Sequence, residues 1–429
     1  PFCLKRQLDQ QHWWRSVRGA GCSCRSRAMA WPAAVATGPR PAAAPKGLLL
    51  LAVVAGAAVA NTNDDDFSPI IGMFSLPVDQ GPPGMPNPCG EENRERDGDA
   101  TAPTCEMLPT SYVKFIEAAG GQVVPVSFSA GYEEVEMLTR SLNGFLFTGG
   151  PDMPVPPAFQ WVLERSRALH KAGVPGDSLP IWGTCLGFEL LVDYVAKGAL
   201  QSGIQALNIS VPLQFTEAAG ASRMFSEAPR YVLDGLAKHN TTFNMHHRGV
   251  TPQHWAEFPT LGQTFDVLST SVDEAGVPFI STIEGKDGLP WFGVQWHPEK
   301  NAFEQGLKAD GTPFERISHG PRGVAAAQYV ASFFVGEARR SAHRFTSAAE
   351  EEARLIYGHA TSGVFSPAFV EVYILRYSGD AGPPVRPAPW GQPCSVQQGE
   401  DDHVGRPPRQ GLSTVGQKDL AKVDDLMLV

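Results

Sequence analysis

The segment Gly183-Thr-Cys185-Leu-Gly187 places a thiol between two glycines, after a predicted strand and before a predicted helix. Small flanking residues permit the strained turn of a nucleophile elbow, which lifts the nucleophile above a sheet. The dipole of a helix N-terminus also favours the thiolate, which is the reactive form of cysteine. The pattern predicts that Cys185 is a catalytic nucleophile, and a buried structural cysteine beside a tight turn is the alternative.

A base and a carboxylate suited to such a thiol occur in Trp296-His297-Pro298-Glu299, directly after another predicted strand. A thiol nucleophile needs a base that takes and returns a proton, and the base needs a carboxylate to orient it. His297 and Glu299 are two residues apart, so an extended segment points both side chains to the same face. We therefore expect Cys185, His297 and Glu299 to act together, although the histidine alone is equally typical of a surface loop.

The elements around these residues alternate between short apolar runs and amphipathic stretches. The predicted strands of the first half are 69–74, 122–126, 144–148 and 179–182, and the predicted helices are 111–119, 159–171 and 188–196. Alternation of this kind predicts an α/β fold, in which a mainly parallel sheet is sandwiched by helices.

The second half of the chain has shorter spacing between its apolar runs. These runs are 211–215, 265–270, 279–283 and 291–296. Short turns between such runs are typical of antiparallel pairing, so we expect extra antiparallel strands beside the parallel sheet. A helix over 324–340 is expected to close the core through Val324, Tyr329, Phe333 and Phe334.

Several separated motifs resemble one family in their order and spacing. The matching segments are Ser111-Tyr-Val-Lys114, Gly183-Thr-Cys-Leu-Gly-Phe-Glu189, Ser222-Arg-Met-Phe225, Asn244-Met-His246 and Val294-Gln-Trp-His-Pro-Glu-Lys300. They are similar to gamma-glutamyl hydrolase, a family of the class I glutamine amidotransferase-like superfamily that trims folate poly-gamma-glutamates. The resemblance implies that superfamily's fold over about residues 69–377.

The resemblance also implies a role for each matching residue. Cys185 is then the nucleophile, His297 the residue that transfers the proton, and Glu299 its orienting partner. His246 matches a second histidine near the substrate, and Glu189 matches a glutamate that follows the elbow. From the residues alone, His246 beside another histidine and an arginine is equally typical of a solvated surface.

Attack by a thiolate on an amide carbonyl produces an oxyanion that needs hydrogen-bond donors already in place. We expect these donors to be the backbone N–H groups of Leu186 and of the loop formed by Gly149 and Gly150. Glycine lets the backbone approach a substrate closely, and this loop leaves a strand at its carboxyl end, where α/β sites lie. An ordinary tight turn is the alternative for the glycine pair. Arg223 is a candidate for binding the carboxylates of the substrate.

The first 60 residues are expected to lie outside the catalytic domain. Residues 1–28 are expected to be an upstream non-structural segment. Residues 29–60 are expected to be a signal peptide, with a basic flank, an apolar run and a small-residue cleavage site. A membrane anchor is the alternative, but the run is shorter than the roughly 20 apolar residues that span a bilayer. The mature glycoprotein is then expected in a vacuole, in a lysosome or outside the cell, and glycosylation sequons at Asn208 and Asn240 agree with this.

Two segments have no counterpart in the family pattern. The Pro- and Gly-rich loop over 77–109 contains Cys89 and Cys105, which a secretory lumen permits to pair, and the loop closure would contribute about 3 kcal/mol. Two unpaired thiols are the alternative. Residues 379–429 are rich in Pro, Gly, Gln and charge and are expected to be a disordered tail. This leaves residues 61–378 as the catalytic domain.

Composition limits the partners of the protein. Its 429 residues include 35 basic and 45 acidic side chains, a net charge of -10, which gives no general attraction to nucleic acid or to an anionic membrane. Scattered histidines, and cysteines without zinc spacing, indicate no metal and no cofactor. A small-molecule substrate, folate poly-gamma-glutamate by the resemblance, is the expected partner, and a homodimer is left open.

The leading expectation is a secretory cysteine hydrolase that cuts gamma-glutamyl bonds through a thioester. A glutaminase-type amidotransferase that releases ammonia uses the same residues, but the sequence indicates no synthase domain to receive the ammonia. A catalytically inactive binding relative is the third hypothesis, and the intact set of Cys185, His297 and Glu299 argues against it. A thiolate–imidazolium pair would keep Cys185 reactive in an acidic compartment.

Overall fold

The computed structural model describes residues 67–78, 104–364, 366–377 and Pro384. The expected upstream segment, the signal peptide, Cys89 and nearly all of the tail lie outside these residues and stay predictions, as do the domain boundaries. No helix within the described ranges is long and apolar enough to cross a membrane.

Cys105 lies inside the described part and is disulfide-bonded. Cys185, the other cysteine that the structure describes, is free. The partner of Cys105 therefore lies outside the described residues, and its pairing with Cys89 stays a prediction.

The centre of the fold is an eight-stranded mixed sheet. In spatial order its strands are β4 (Gln122–Val126), β1 (Ile70–Phe74), β5 (Gly144–Phe147), β6 (Ile181–Thr184), β12 (Trp291–Val294), β11 (Pro278–Gly285), β10 (Phe265–Val272) and β8 (Gln214–Phe215). The first five strands are parallel and the last three antiparallel. The predicted mainly parallel sheet with extra antiparallel strands is confirmed.

The strand β1 shows why the parallel strands of the large sheet are continuous apolar runs in the sequence. All five of its residues are buried. Because successive side chains of a strand point to opposite faces, Ile70 and Phe74 enter the core on one side of the sheet, and Ile71 and Met73 enter the core on the other. A strand covered on both faces has no position for a polar side chain.

Helices supply these two covering layers. In chain order they are α1 (Thr110–Glu117), α2 (Tyr132–Ser141), α3 (Pro157–Ala172), α4 (Leu186–Val195), α5 (Arg230–Lys238), α6 (Pro252–Ala256), α7 (Pro259–Thr264), α8 (Lys300–Phe303), α9 (Pro321–Ala338) and α10 (Ala348–Arg354). Side chains of α2, α3 and α4 fill the first core, and those of α1, α5 and α9 fill the second. The predicted sandwich of helices is confirmed.

The helix α9 closes the second core, as predicted, through most of the expected side chains. Phe334 is buried in this core, and the half-buried Tyr329 and Phe333 pack against it. Val324 is half-buried and is not part of the core. The rest of the buried stripe consists of smaller residues such as Ala331 and Val330.

Two smaller sheets extend the fold. The first is antiparallel and has the order β13 (Thr361–Val364), β14 (Glu371–Tyr377), β3 (Thr104–Pro109) and β2 (Leu76–Pro77). The second is a ribbon of β7 (Gln201–Val211) and β9 (Thr242–Gly249). The predicted strand over 211–215 is wrong in extent, since Val211 ends β7 and only Gln214 and Phe215 form β8. Pro212 between them cannot donate a ladder hydrogen bond.

Candidate active site

Cys185 occupies a strained turn between β6 and α4, as the elbow pattern predicts. Its φ of 51° and ψ of -102° are unusual for a residue with a side chain. Its N–H donates to the carbonyl of Val294 at 2.8 Å, which ties the turn to the end of β12. The thiol side chain is 5% exposed. The turn thus holds the sulfur at the carboxyl edge of the sheet.

The two glycines of the elbow are required by close packing. A Cβ on Gly183 would lie 2.5 Å from the carbonyl oxygen of Gly187, and a Cβ on Gly187 would lie 2.2 Å from the carbonyl oxygen of Phe147. Real Cβ atoms do not approach a backbone oxygen so closely. The sequence pattern around Cys185 therefore reflects the backbone path of the elbow itself.

His297 and Glu299 lie at the same sheet edge as Cys185. The strand β12 pairs with β6 in parallel, so the residues after the two strands emerge side by side. The Nδ1 atom of His297 is 2.8 Å from Oε1 of Glu299, and both side chains are buried. The backbone N–H of His297 donates to the carbonyl of Phe243 at 2.8 Å, which anchors the turn on β9.

The electrostatics of His297 favour its charged form. Burial opposes the imidazolium, but the neighbouring Glu299 carboxylate and the sulfur of Cys185 outweigh it and raise the pKa of His297 to about 10. A Cβ on Gly149 would lie 2.7 Å from Cε1 of His297 and 3.3 Å from Cβ of Cys185, so the two side chains lie close together. Since Nδ1 is taken by Glu299, Nε2 is the ring nitrogen left for proton exchange with the sulfur.

Tyr112 is a site residue that the sequence reasoning missed. Its hydroxyl accepts a hydrogen bond from the N–H of Gly149 at 2.8 Å and lies 3.4 Å from Nδ1 of His297. Burial, followed by the charges of Glu299 and Cys185, raises the pKa of Tyr112 well above its usual value. The only signal was its place in the Ser111-Tyr-Val-Lys114 motif, where a helical tyrosine is equally typical of a core.

The expected oxyanion donors are only in part available. The N–H of Gly149 donates to Tyr112, and a role of Gly149 toward the substrate stays a prediction. Gly150 and Leu186 remain the candidates from that expectation. Leu186 is the first residue of α4, where an N–H has no acceptor within the helix.

A charged cluster lies beside the elbow. Glu189 is buried on α4, accepts a hydrogen bond from the side chain of Gln295 at 3.1 Å and lies 3.4 Å from the guanidinium of Arg248. The same guanidinium lies 3.0 Å from Asp152, just after the loop formed by Gly149 and Gly150. Burial raises the pKa of Glu189 to about 7, against the opposing effect of Arg248. Glu189 was predicted from the sequence, whereas its contact with Arg248, and through it with Asp152, depends on the fold.

His246 is buried on β9, next to Met245, whose carbonyl oxygen is 3.9 Å from the Cys185 sulfur. Its Nδ1 lies 2.6 Å from the carbonyl of Arg248, and its Nε2 lies 3.2 Å from the side-chain oxygen of Asn244. Burial lowers the pKa of His246 to about 3, so the ring is neutral. The solvated alternative is therefore wrong, and contact with the substrate stays a prediction.

Arg223 does not contribute to this cluster. Its guanidinium lies 2.8 Å from Glu337 and donates to the carbonyl of Leu289 at 2.9 Å. Leu289 precedes β12, at the end of that strand opposite to His297. The suggestion that Arg223 binds the substrate carboxylates is wrong, and Arg248 is the arginine that the structure places beside the elbow.

Comparisons with known proteins place the chain among relatives of one family. The Peptidase C26 family model matches residues 89–299. Gamma-glutamyl hydrolase of Bos taurus is 40% identical over 251 residues, which are 58% of this chain and 76% of that protein. Gamma-glutamyl hydrolase of Homo sapiens is 38% identical over 254 residues, with 58% and 76% covered.

More distant similarities were also found. Gamma-glutamyl hydrolase 1 of Arabidopsis thaliana is 30% identical over 320 residues, which are 72% of this chain and 83% of that protein. Among solved structures, the glutaminase domain of Trypanosoma brucei CTPS with bound acivicin is 12% identical. It has a TM-score of 0.37, with 64% of this chain and 95% of that chain covered.

The α/β sheet, the elbow cysteine and the adjacent histidine define a cysteine-type hydrolase. From the identity to its curated relatives, the chain belongs to the gamma-glutamyl hydrolase family. Its class of reaction is the hydrolysis of gamma-glutamyl bonds, and the expected family is confirmed.

Proposed function

We propose that the protein hydrolyses folate poly-gamma-glutamates through a thioester on Cys185, with His297 and Glu299 as its partners. The observation that carries the proposal is the 2.8 Å contact between His297 and Glu299 behind the elbow sulfur. A buried carboxylate at Nδ1 fixes the imidazole and leaves Nε2 for proton exchange with the sulfur, which is what nucleophilic catalysis requires.

The first half of the reaction forms the thioester. The Cys185 thiolate attacks the carbonyl carbon of a gamma-glutamyl amide, and the resulting oxyanion receives hydrogen bonds from backbone N–H groups, for which Leu186 and Gly150 are the candidates. As the intermediate collapses, the C–N bond breaks and the imidazolium of His297 gives its proton to the leaving amine. The products are the free amine and an acyl group on the sulfur.

The second half returns the enzyme to its starting state. Water attacks the thioester carbonyl while His297, now neutral, accepts a proton from it. The C–S bond then breaks, releasing the new carboxylic acid and the Cys185 thiolate. Glu299 stabilises the imidazolium of His297, which gives up its proton in the first half and forms again in the second.

Arg248 is proposed to recognise the substrate. Each gamma-linked glutamyl residue carries a free α-carboxylate, and an arginine pairs with a carboxylate through two parallel hydrogen bonds. The Arg248 side chain is 22% exposed, so part of it is open to a ligand, and it reaches Glu189 beside the elbow. Protonation of Glu189 removes one of its two carboxylate partners, which leaves Arg248 freer to bind the substrate.

The proposal is tested by incubating the full chain and its Cys185→Ala variant with a folate pentaglutamate and, separately, with free glutamine. We expect the unmodified protein to shorten the folate and the variant to leave it intact, with products identified by mass. Ammonia from glutamine together with intact folate would instead favour a glutaminase. A Cys185→Ala variant as active as the unmodified protein would contradict the assignment of the nucleophile.

We also propose that the protein enters the secretory pathway. The signal-peptide pattern of residues 29–60 and the two sequons support this, and Asn240 lies exposed in the turn between α5 and β9. Asn208 is a poorer acceptor, since its side-chain oxygen accepts from the N–H of Arg316 at 2.6 Å and its amide donates to the carbonyl of Phe314 at 3.3 Å.

A further inference from the structure

A buried lysine directly follows the proposed orienting carboxylate in the chain. Nζ of Lys300 donates to both carboxylate oxygens of Glu315, at 2.6 and 2.7 Å, and both side chains are 3% exposed. A third hydrogen bond goes to the carbonyl of Ala368 at 3.3 Å. The three donors of the ammonium are thus all used, and none of these contacts involves a reacting group.

Lys300 connects the turn after His297 to residues 366–370. The ring of Phe369 lies 4.8 Å from Nζ of Lys300, within the range of a cation–π interaction. One turn further on, the carboxylate of Glu304 accepts from the N–H of Val370 at 2.8 Å. The segment 366–370, which we call the strap, is therefore held against α8 at several points.

The packing between the strap and the residues that follow α8 leaves little freedom. A Cβ on Gly306 would lie 1.8 Å from the carbonyl oxygen of Pro367, so the two backbones touch. Just beyond the strap, Glu371 pairs with Lys114 of α1, the helix that carries Tyr112. The strap thus joins two elements that carry proposed active-site side chains.

Phe243 relates Lys300 to the imidazole. Its ring lies 5.5 Å from Nζ of Lys300 and 6.1 Å from the ring of His297, and its carbonyl accepts the N–H of His297. The N–H of Lys300 in turn donates to the carbonyl of His297 at 3.4 Å. A shift of Lys300 would therefore move the turn that presents both His297 and Glu299.

Stability alone gives little reason for this ion pair. Replacing a buried ion pair by apolar side chains of similar size is often neutral or stabilising, because two charges no longer lose their hydration. What apolar side chains do not supply is the fixed geometry of the contacts with Glu315 and Ala368. The pair is therefore better explained by a need for position than by a need for stability.

We infer that Lys300 is a positioning residue, which clamps the strap onto the turn after His297 and so holds Glu299 against the imidazole. The inference rests on the proposed function. It adds a residue and a C-terminal segment that lie beyond the residues 89–299 matched by the family model.

The test separates stability from activity with the variants Lys300→Met and Lys300→Met/Glu315→Met in the full chain. We expect the single variant to melt at a lower temperature, because Glu315 is left as an unpaired buried charge, and the double variant to regain most of that loss. In the double variant we expect kcat on folate pentaglutamate to fall about tenfold to a hundredfold, with KM unchanged. A displacement of catalytic groups by about 1 Å lowers a rate by about this factor.

A second readout needs no substrate. The rate at which iodoacetamide alkylates Cys185 at pH 6, followed by mass of the Cys185 peptide, reports the thiolate–imidazolium pair directly. We expect this rate to fall about tenfold or more in the double variant, since a displaced Glu299 no longer supports the imidazolium. This result stands even where the unmodified protein leaves folates intact, so it distinguishes failure of the clamp from failure of the substrate proposal.

Arg354→Met is the matched control, because it removes another poorly exposed ion pair, to Glu134 on α2. It is expected to lower the melting temperature without changing kcat or the alkylation rate of Cys185. A double variant that regains both stability and wild-type kcat and alkylation would overturn the inference, as would an equal loss of activity in the control.

Discussion

At the scale of single residues, several hydrogen-bonding groups of the site are already paired with other protein groups. One nitrogen of His297 is committed to Glu299, and the N–H of Gly149 is committed to Tyr112. The groups that remain for a substrate are the other imidazole nitrogen, the thiol of Cys185 and backbone N–H groups. Tyr112 thus fixes the loop formed by Gly149 and Gly150, and its hydroxyl acts there as an acceptor.

Replacing Tyr112 by Phe tests this fixing role. The variant loses the acceptor for the Gly149 N–H, so the loop gains freedom next to the sulfur. We expect kcat to fall about tenfold and KM to change little, because the loss concerns the geometry of the transition state and not ground-state binding. Steady-state kinetics on a gamma-glutamyl substrate provides the measurement.

Tyr329→Phe supplies the control for the Tyr112 variant. Tyr329 lies on the helix α9, and its hydroxyl donates to the carbonyl of Met224 at 2.8 Å. Tyr329→Phe loses one hydrogen bond and Tyr112→Phe loses two, each worth about 1 kcal/mol to stability, so the melting temperature should fall in both variants and somewhat more in Tyr112→Phe. Equal kcat values for the two variants would show that Tyr112 has only a structural role.

The raised pKa of His297 gives a prediction for pH dependence. With a pKa of about 10 in the fold and an ordinary value of about 6.5, the imidazolium stabilises the fold fully below about pH 6.5. That contribution is lost as the pH rises through about 10. The basic limb of kcat/KM is expected at the same high pH, because His297 must be protonated to release the amine.

Glu299→Gln should move this limb to lower pH, since the neighbouring carboxylate is the main group that opposes the effect of burial. The amide keeps the size of the side chain, so the fold should be retained. Profiles of kcat/KM between about pH 5 and 10.5 provide the measurement. An unchanged basic limb in the variant would mean that Glu299 does not support the imidazolium.

At the scale of elements, parallel pairing of β6 with β12 brings the chemistry together. The register joins Gly293 to Gly183 and Val294 to Thr184, so the residues after each strand leave the sheet side by side. Cys185 and His297 are more than a hundred residues apart in the chain, and this pairing brings both to one edge of the sheet. This is the general property that places active sites at the carboxyl ends of parallel strands.

Much of this arrangement could be predicted from local sequence. The apolar runs of β1 and β4 and the elbow around Cys185 carry their signals within a few residues, so periodicity and turn chemistry identify them. The strand β14 could not be placed in the same way, because its partner β3 lies more than 250 residues earlier in the chain. Its pairing is a tertiary property, and so is the contact between Arg248 and Glu189.

The loop after β5 offers a prediction at this scale. A Cβ on Gly149 would lie 2.7 Å from Cε1 of His297, 2.8 Å from the hydroxyl of Tyr112 and 3.3 Å from Cβ of Cys185. Gly149→Ala should therefore displace the imidazole and lower kcat/KM by about a hundredfold. The cost to stability is expected to be about 1–3 kcal/mol, as for other overpacked sites. Kinetics and thermal melting measure the two effects.

Gly336→Ala is the matched substitution. Gly336 lies inside α9 with open space around the position of a Cβ. Alanine favours a helix by about 0.5–1 kcal/mol over glycine, so this variant should melt slightly higher and keep full activity. If both alanine variants keep full activity, the loop after β5 is more adaptable than its contacts indicate.

At the scale of the whole molecule, net charge opposes the binding of an anionic substrate. The chain has a net charge of -10, and a poly-gamma-glutamate is itself a polyanion. Long-range attraction is therefore absent, and affinity must come from local cations such as Arg248. An acidic compartment reduces the repulsion, because protonation of Glu189, whose pKa is about 7, removes a negative charge beside the elbow.

The proposed compartment makes a prediction about the two sequons. A glycan on Asn240 would project from an exposed turn. The side-chain amide of Asn208, in contrast, donates to the carbonyl of Phe314, and the residue has a φ of 56°. A glycan on Asn208 would have to replace that hydrogen bond. We expect the chain secreted from eukaryotic cells to carry a glycan at Asn240. Endoglycosidase treatment should then lower the mass of the unmodified protein and of Asn208→Gln, and leave Asn240→Gln unchanged. A secreted protein whose mass never responds to the endoglycosidase would contradict the assignment of Asn240, and retention of the chain in the cytosol would contradict the secretory proposal itself.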